Sequence, residues 1–140
     1  MLAAAALIAA CATGTGPEAV EDEYVLVRVD DSRLPARVAN ETWLADTIRF
    51  HEGGEWSRVE VVTLHAEGAS PDPVRRTLEG FVTYRRDRIV LDFDCNDVIL
   101  MSCVAPDTVE LSGSALVRRP NRYGVNSIGW PLFRYEPVPR

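Results

Sequence analysis

The residue types that most often carry catalysis or bind metals are sparse in this chain. His51 and His65 are the only two histidines, and they lie on either side of Gly53 and Gly54. If the chain folds back at these glycines, the histidines fall at opposite ends of the paired strands, several residue pairs apart. They then cannot share a metal ion or a proton-transfer site. We expect both at the surface or the rim of the domain.

A second candidate for metal binding fails on closer inspection. Asp92, Asp94 and Asn96 have the alternate spacing that opens a calcium-binding loop, but Asp97 stands where the sharp turn needs glycine and Cys103 where the loop needs a bidentate glutamate. We interpret these carboxylates as solvated groups on a strand face. Because no serine has a nucleophile-elbow setting and no later cysteine has a histidine nearby, we expect no metal, no cofactor and no enzyme activity.

Cys95 and Cys103 enclose a segment that is too long for a tight turn and apolar in its middle. A disulfide between them would stabilise the fold by about 2–3 kcal/mol, because it restricts the unfolded chain. The alternative is two free buried thiols that pack as small apolar groups. A bridged loop would fold over a barrel end or contact a partner, and its candidate contact residues are Val98, Ile99, Leu100 and Met101.

The chain begins with an almost wholly apolar run at residues 1–10, which falls well short of the roughly 20 residues that a membrane-spanning helix needs. The run ends in Ile8-Ala9-Ala10-Cys11, which resembles the lipobox of bacterial lipoproteins, in which the cysteine is diacylated. The resemblance implies that Cys11 is lipidated and becomes the first mature residue. No Lys or Arg precedes the run, and a cleaved secretory signal or a cytosolic tail are the alternatives.

The segment from Thr13 to Asp22 has small residues, one proline and several acids, with too little apolar content to stay ordered. We therefore predict a lipoprotein signal peptide at 1–10, a flexible acidic tether at 11–22 and a single β-barrel domain at 23–140. Lipidation would place that domain in an oxidising compartment and leave Cys95 and Cys103 as an even pair, which favours the disulfide.

Two hairpins are predicted from alternating apolar residues. The first turns at Arg86-Asp87 and pairs Tyr84 with Ile89, Val82 with Leu91 and Gly80 with Phe93. The second turns at Gly53-Gly54 and pairs Phe50 with Ser57, Ile48 with Val59, Asp46 with Val61 and Leu44 with Thr63. We expect these second pairs to form a mostly apolar core face. The opposite, mixed face would then carry Trp43 and Arg49 against Trp56, Arg58 and Glu60.

The remaining strands complete an all-β pattern. Tyr24 to Val29 reads as a first strand, a third hairpin turns at Ser112-Gly113, and Trp130 to Tyr135 reads as a last strand that can pair with the first. No segment shows a convincing helical period. About eight short strands joined by local hairpins predict an up-and-down antiparallel β-barrel or a strongly curled meander.

Several features together resemble the small lipocalin-like lipoproteins of bacteria: the lipobox, the acidic tether, an opening strand followed by an aspartate turn and Leu34-Pro35, a glycine hairpin and a closing aromatic strand. The resemblance implies a lipid-anchored domain in the bacterial cell envelope, on the periplasmic or outer-membrane side. No ligand-binding signature of that group matches residue by residue, so no site residue is transferred.

The charge of the chain argues against one class of partner. The formal net charge is −6 and every basic residue is arginine, in scattered pairs. An acidic domain gains little from phosphate counterion release, so we expect no nucleic-acid binding.

Two functions stay open. The first is a lipid-anchored binding or interaction module for an apolar small molecule or an envelope protein, with Trp43, Trp56 and Tyr84 as candidate contacts, although such aromatics more often belong to the core. The second is an envelope inhibitor or stress lipoprotein that acts on a partner enzyme through the Cys95 to Cys103 loop. A barrel interior filled by side chains would argue against an apolar small ligand.

Overall fold

The computed structural model describes residues 19–93, 106–119 and 131–139. In chain order, the strands are β1 (Glu23–Val29), β2 (Ser32–Arg33), β3 (Ala36–Val38), β4 (Glu41–His51), β5 (Glu55–Leu64), β6 (Val74–Tyr84), β7 (Ile89–Phe93), β8 (Asp107–Ser112), β9 (Ala115–Arg118) and β10 (Phe133–Pro137). Within these ranges, no helix has the length and apolar character needed to span a bilayer. The prediction of an all-β fold class is confirmed.

Eight of these strands close into an antiparallel barrel. β4 to β10 form a meander in which each strand pairs with the next, and β1 closes the barrel by pairing with both β10 and β4. The short strands β2 and β3 extend the sheet beside β1 and β4, respectively. The predicted up-and-down barrel of about eight strands is therefore confirmed, and it fits a lipocalin-like fold.

The two ends of the barrel differ in their connections. At the tight-turn end, the strands are joined by the short turns 52–54, 85–88 and 113–114. At the long-loop end, they are joined by the connections 65–73, 94–106 and 119–132. The chain enters β1 at the tight-turn end, where the Asp22 carbonyl accepts a hydrogen bond of 2.9 Å from the Phe50 N–H. Val20 already packs against the core, so contact with the barrel begins before β1.

The core lies inside the barrel because successive side chains of a strand point to opposite faces. Every strand of the barrel contributes inward residues, and these side chains form one buried apolar cluster. Its fully buried members include Tyr24, Trp43, Ile48, Trp56, Val62, Ile89, Leu91, Val109, Leu116, Phe133 and Tyr135. Burial of this apolar surface is the main favourable contribution to the fold.

Most of the predicted strand pairing is confirmed. β6 and β7 pair Tyr84 with Ile89, Val82 with Leu91 and Gly80 with Phe93, as the alternation of Ile89, Leu91 and Phe93 indicates. β8 and β9 form the hairpin that turns at Gly113, which has φ +65°, a backbone conformation that favours glycine. β10 pairs with β1, so the last strand does meet the first.

The predicted register of the β4–β5 hairpin is wrong by one residue. The turn contains only Glu52, Gly53 and Gly54, with both glycines at positive φ, so Phe50 pairs with Trp56 and Ile48 with Arg58. Because side chains alternate with a period of two, a shift of one residue turns all of β5 over. The inward residues of β5 are Trp56, Arg58, Glu60 and Val62, not the expected Ser57, Val59, Val61 and Thr63.

The predicted orientation of the first residues of β4 is also wrong, because the strand contains a bulge. The register shifts between Trp43 and Ala45, so Leu44 is the extra residue of the strand. Trp43 is consequently 1% exposed and Leu44 36% exposed, which reverses the orientation expected for both. The half of β4 nearer the 52–54 turn has the predicted orientation, since Asp46, Ile48 and Phe50 all point inward.

The orientation of β4 is tested by two neighbouring substitutions. Ile48 is 0% exposed, so Ile48→Asp would place an uncompensated charge in the core, and we expect the domain to be unfolded. Arg49 points outward and forms an exposed ion pair with Glu23, so Arg49→Asp should lower the free energy of unfolding by less than about 1 kcal/mol. Urea unfolding followed by circular dichroism measures both. Equal tolerance of the two substitutions would show that the strand faces the other way.

Candidate functional site

A cluster of charged side chains occupies the barrel interior toward the long-loop end. Its charged members come from four strands and are at most 5% exposed: Asp46 of β4, Arg58 and Glu60 of β5, Asp107 of β8 and Arg118 of β9. Tyr135 of β10 is part of the same network and is 0% exposed. We call these six residues the lumen cluster. Buried charges of this kind are rare unless each is paired.

Asp107 joins the two arginines of the lumen cluster. Its Oδ2 accepts hydrogen bonds from Arg58 Nη1 at 3.0 Å and from Arg118 Nη1 at 2.8 Å. Arg58 also forms an ion pair with Glu60, two residues along the same strand face. Since β5 and β8 are separated by two strands of the wall, the contact between Arg58 and Asp107 crosses the lumen.

Tyr135 connects the other side of the network. Its hydroxyl accepts a hydrogen bond of 2.9 Å from Arg118 Nε and donates one of 2.6 Å to Asp46 Oδ2. Arg118 Nη2 also lies 3.5 Å from Asp46 Oδ2, and Arg58 Nε lies 3.9 Å from Asp46 Oδ1. The hydroxyl therefore relays between a buried cation and a buried carboxylate that are only loosely in contact directly.

Aromatic rings enclose the Arg118 guanidinium. Its Cζ lies 4.8 Å from the centre of the Phe133 ring and 5.9 Å from that of Trp43, within reach of cation–π attraction. The Trp43 and Phe133 rings themselves meet edge to face, with centroids 4.9 Å apart. These rings exclude water and fix the orientation of the guanidinium.

Arg76 of β6 links the lumen cluster to the outside. It holds Glu41 through two hydrogen bonds of 2.9 and 3.2 Å, and its Nε lies 3.0 Å from Glu60 Oε2. With its side chain 32% exposed, Arg76 stands at the rim of the network. It also balances the interior charges: three guanidiniums, counting Arg76, face the three carboxylates Asp46, Glu60 and Asp107.

The surroundings shift the two aspartate pKa values in opposite directions. Burial acts to raise the pKa of Asp107, but Arg118 and Arg58 together outweigh it and hold this pKa below its ordinary value. Burial raises the pKa of Asp46, because Arg58 and Arg118 are too weakly placed to compensate. Burial also raises the pKa of Tyr135 well above its ordinary value. The network therefore keeps Asp107 ionised and Tyr135 protonated at neutral pH.

The aromatic residues that the sequence marks as candidate contacts do not lie together. Trp43 is part of the wall around Arg118, while Trp56 is 1% exposed and packs edge to face on Phe93 with centroids 5.4 Å apart. Trp56 Nε1 donates a hydrogen bond of 3.0 Å to the Asp92 carbonyl. Tyr84 is half-buried at the tight-turn end. Trp43 and Trp56 are thus core side chains at different levels of the barrel.

The histidines are as far apart as the sequence predicts. His51 Nε2 lies 2.9 Å from Ser57 Oγ, and His65 Nε2 lies 2.7 Å from Thr42 Oγ1, at opposite ends of the β4–β5 ladder. Among the residues that the structure describes, no group of three His, Cys, Asp or Glu side chains could hold a metal ion.

Several residues singled out in the sequence lie outside the described ranges. They are Cys11, the predicted lipidation site; Cys95 and Cys103, the predicted disulfide; and Val98, Ile99, Leu100 and Met101, the predicted contacts of the loop. The disulfide and the loop contacts stay predictions.

The lumen cluster was missed in the sequence although part of its signal is present. Arg58 and Glu60 lie between Trp56 and Val62 at every second position of the strand. This spacing places all four residues on one strand face. The wrong hairpin register assigned these residues to the mixed face opposite the core, where charges need no buried partner. Asp107 and Arg118 lie far away along the chain, and only the closed barrel brings them to Arg58.

Comparison with known proteins adds no assignment to this geometry. No family model, curated protein or solved structure matches the chain.

The relay through Tyr135 makes a first prediction for the cluster. Tyr135→Phe removes the acceptor of Arg118 Nε and the donor to Asp46 Oδ2, and we expect the free energy of unfolding to fall by about 1–3 kcal/mol. Tyr24→Phe is the matched control, because the Tyr24 hydroxyl only accepts a hydrogen bond from the Glu21 N–H near the surface. Urea unfolding would contradict the relay if the control cost more than Tyr135→Phe.

The opposite pKa shifts make a second prediction. The pKa of Asp107 is lowered on folding, so its stabilisation is present above the ordinary value of 3.8 and is lost as the pH falls through the folded value. The pKa of Asp46 is raised, so folding favours the protonated form, and stability is lost as the pH rises from 3.8 through the folded value. Asp107→Asn should flatten the acid-induced loss of stability, and Asp46→Asn should flatten the loss on raising the pH.

Unfolding free energies of the three proteins, measured at several pH values from about 2 to 7, test this directly. The two substitutions should change the slope of unfolding free energy against pH in opposite directions. A slope change of the same sign in both variants would contradict the assignment of the two carboxylates.

Proposed function

We propose that this protein is a lipid-anchored extracytoplasmic interaction module that binds its partner on the outer surface of the barrel rather than in the lumen. The lumen cluster is the observation that supports an outer binding surface. Contacts such as Arg58 to Asp107 and Tyr135 to Asp46 cross the interior at the long-loop end, and apolar side chains occupy the rest of it. An apolar ligand entering there would have to separate buried ion pairs.

Separating those pairs is costly. Leaving one member of a buried ion pair without its partner typically destabilises a protein by about 3–5 kcal/mol, and this cost would be subtracted from the binding free energy of an apolar ligand. This argument favours an external binding surface over the apolar small-molecule ligand that the resemblance to lipocalin-like proteins suggests.

A non-catalytic role is proposed on the same grounds. The charged groups that could act as acids or bases, Asp46, Glu60 and Asp107, are at most 5% exposed and are held by arginines. A substrate atom has no direct approach to them, since a general acid or base must come within hydrogen-bond reach of the reacting group.

The membrane attachment rests on the sequence. Cys11 at the end of the apolar run 1–10 resembles a lipidated cysteine, and the chain leads from it into β1 at the tight-turn end. A lipid-anchored module in the bacterial envelope, on the periplasmic or outer-membrane side, follows from that resemblance. The alternative role of the Cys95 to Cys103 loop as an inhibitor of a partner enzyme stays a prediction from the sequence.

Two measurements test the proposal. Cys11→Ser should move the protein from the membrane fraction to the soluble fraction of cells, and retention after a carbonate wash would refute lipidation as the anchor. For the lumen, a fluorescent fatty acid titrated into the Cys11→Ser protein should show no saturable binding. Saturable binding of one probe per chain, weakened by Leu116→Ala inside the barrel but not by the outward Thr77→Ala, would show that the lumen accepts ligands.

A further inference from the structure

Three arginines stand side by side on the outer wall of the barrel. Arg28 of β1 lies directly opposite Arg33 of β2 on one side and directly opposite Arg134 of β10 on the other. Directly opposed residues share a face of the sheet, and their neighbours Val29 and Phe133 point inward, so all three guanidiniums project outward. We call them the arginine row. With about 5 Å between opposed Cα atoms, the row spans roughly 10 Å across three strands.

This arrangement does not help the fold. Like charges at directly opposed positions of an antiparallel pair are destabilising by several tenths of a kcal/mol. Among the residues that the structure describes, Arg28, Arg33 and Arg134 have no ion-pair partner, whereas Arg49, Arg58, Arg76 and Arg118 are all paired. The carboxylate of Asp30, next to the row, is engaged elsewhere, since its Oδ1 accepts a hydrogen bond of 2.7 Å from the Leu132 N–H.

The wall beside the row is suited to an amphiphile. Arg134 also lines a shallow groove of about 610 Å³ over β8, β9 and β10, whose lining is mixed: it includes the apolar Leu111, Val117 and Leu132, the basic Arg119 and the acidic Glu110. The same surface thus offers guanidiniums for an anionic group and, next to them, apolar side chains. Guanidiniums bind phosphate through paired N–H donors, which makes arginine the preferred residue for this anion.

We propose that the arginine row binds the phosphate groups of anionic lipid headgroups and lays this wall of the barrel on the membrane. The inference rests on the proposed lipid anchor, which keeps the barrel within reach of a membrane. Because Val20 already packs against the core, the segment that can extend is 11–19, which spans at most about 30 Å; this is enough to let the side of the barrel, and not only its end, contact the surface. Since the chain as a whole carries a net charge of −6, an anionic surface repels the acidic faces and favours contact through the row.

The test compares two double variants in the full chain with Cys11→Ser, so that no acyl chain contributes to binding. Arg28→Gln with Arg134→Gln disrupts the row. Arg86→Gln with Arg88→Gln removes the same charge from the exposed turn between β6 and β7 and is the matched control. Binding is measured at low salt by co-sedimentation with vesicles of phosphatidylcholine alone and of phosphatidylcholine mixed equally with phosphatidylglycerol. The apolar residues 1–10 are common to all proteins and cancel in the comparison.

We expect binding to the anionic vesicles to exceed that to neutral ones and to fall about 30-fold in the row variant, as about 2 kcal/mol for two arginines at an anionic surface implies. The control variant should bind within a few-fold of the parent. The melting temperature of the row variant should be unchanged or higher, because like charges no longer oppose each other. A purely structural role of the row would lower it.

Equal weakening in both double variants would overturn the proposal, because it would mean that only total charge matters. Absence of any preference for the anionic vesicles would overturn it too, as would selective binding of the row to polyglutamate, which would indicate an acidic protein partner. These outcomes are independent of the anchor, which is tested by fractionation of cells that express the parent chain. A soluble parent chain would refute the anchor while leaving the vesicle result intact.

Discussion

The structure depends on the neutralisation of Arg118 inside the barrel. This guanidinium is 1% exposed, and burial of an unpaired charge would cost more free energy than a domain of this size has available. The Asp107 carboxylate accepts a hydrogen bond of 2.8 Å from its Nη1, the Tyr135 hydroxyl accepts another from its Nε, and the Phe133 ring covers one face. The strands β8, β9 and β10 must therefore keep one mutual register for this charge to stay compensated.

That requirement extends around the barrel. Arg58 shares Asp107 with Arg118, and Arg76 carries the ion pairs on to Glu41 at the start of β4. Strands that are not adjacent in the sheet are thus connected directly across the lumen. Such a network does not make the domain more stable than an apolar core of the same volume would. It does penalise any slip of a strand, because a slip would leave a buried charge without its partner.

The arginines inside the barrel and those of the arginine row differ in how their charge is compensated. Inside, each guanidinium meets carboxylates in a position that the fold fixes. Outside, Arg28, Arg33 and Arg134 oppose one another without a carboxylate partner in the described part of the chain. The interior charges are explained by the fold itself, whereas for the exterior charges we propose an anion that comes from outside. The filled lumen and the charged wall are the two observations behind our proposal that binding takes place on the outside of the barrel.

Local sequence patterns determined the fold class, the number of barrel strands, the register of the β6–β7 hairpin and the contact between the last and first strands. These features depend on alternation within a strand and on short turns, both of which neighbouring residues specify. Tertiary structure decided the β5 face, because an inward Arg58 is tolerated only where a carboxylate such as that of Asp107 meets it across the barrel. The lumen cluster and the arginine row could likewise not be assembled from the sequence, since both join residues that only the closure of the sheet brings together.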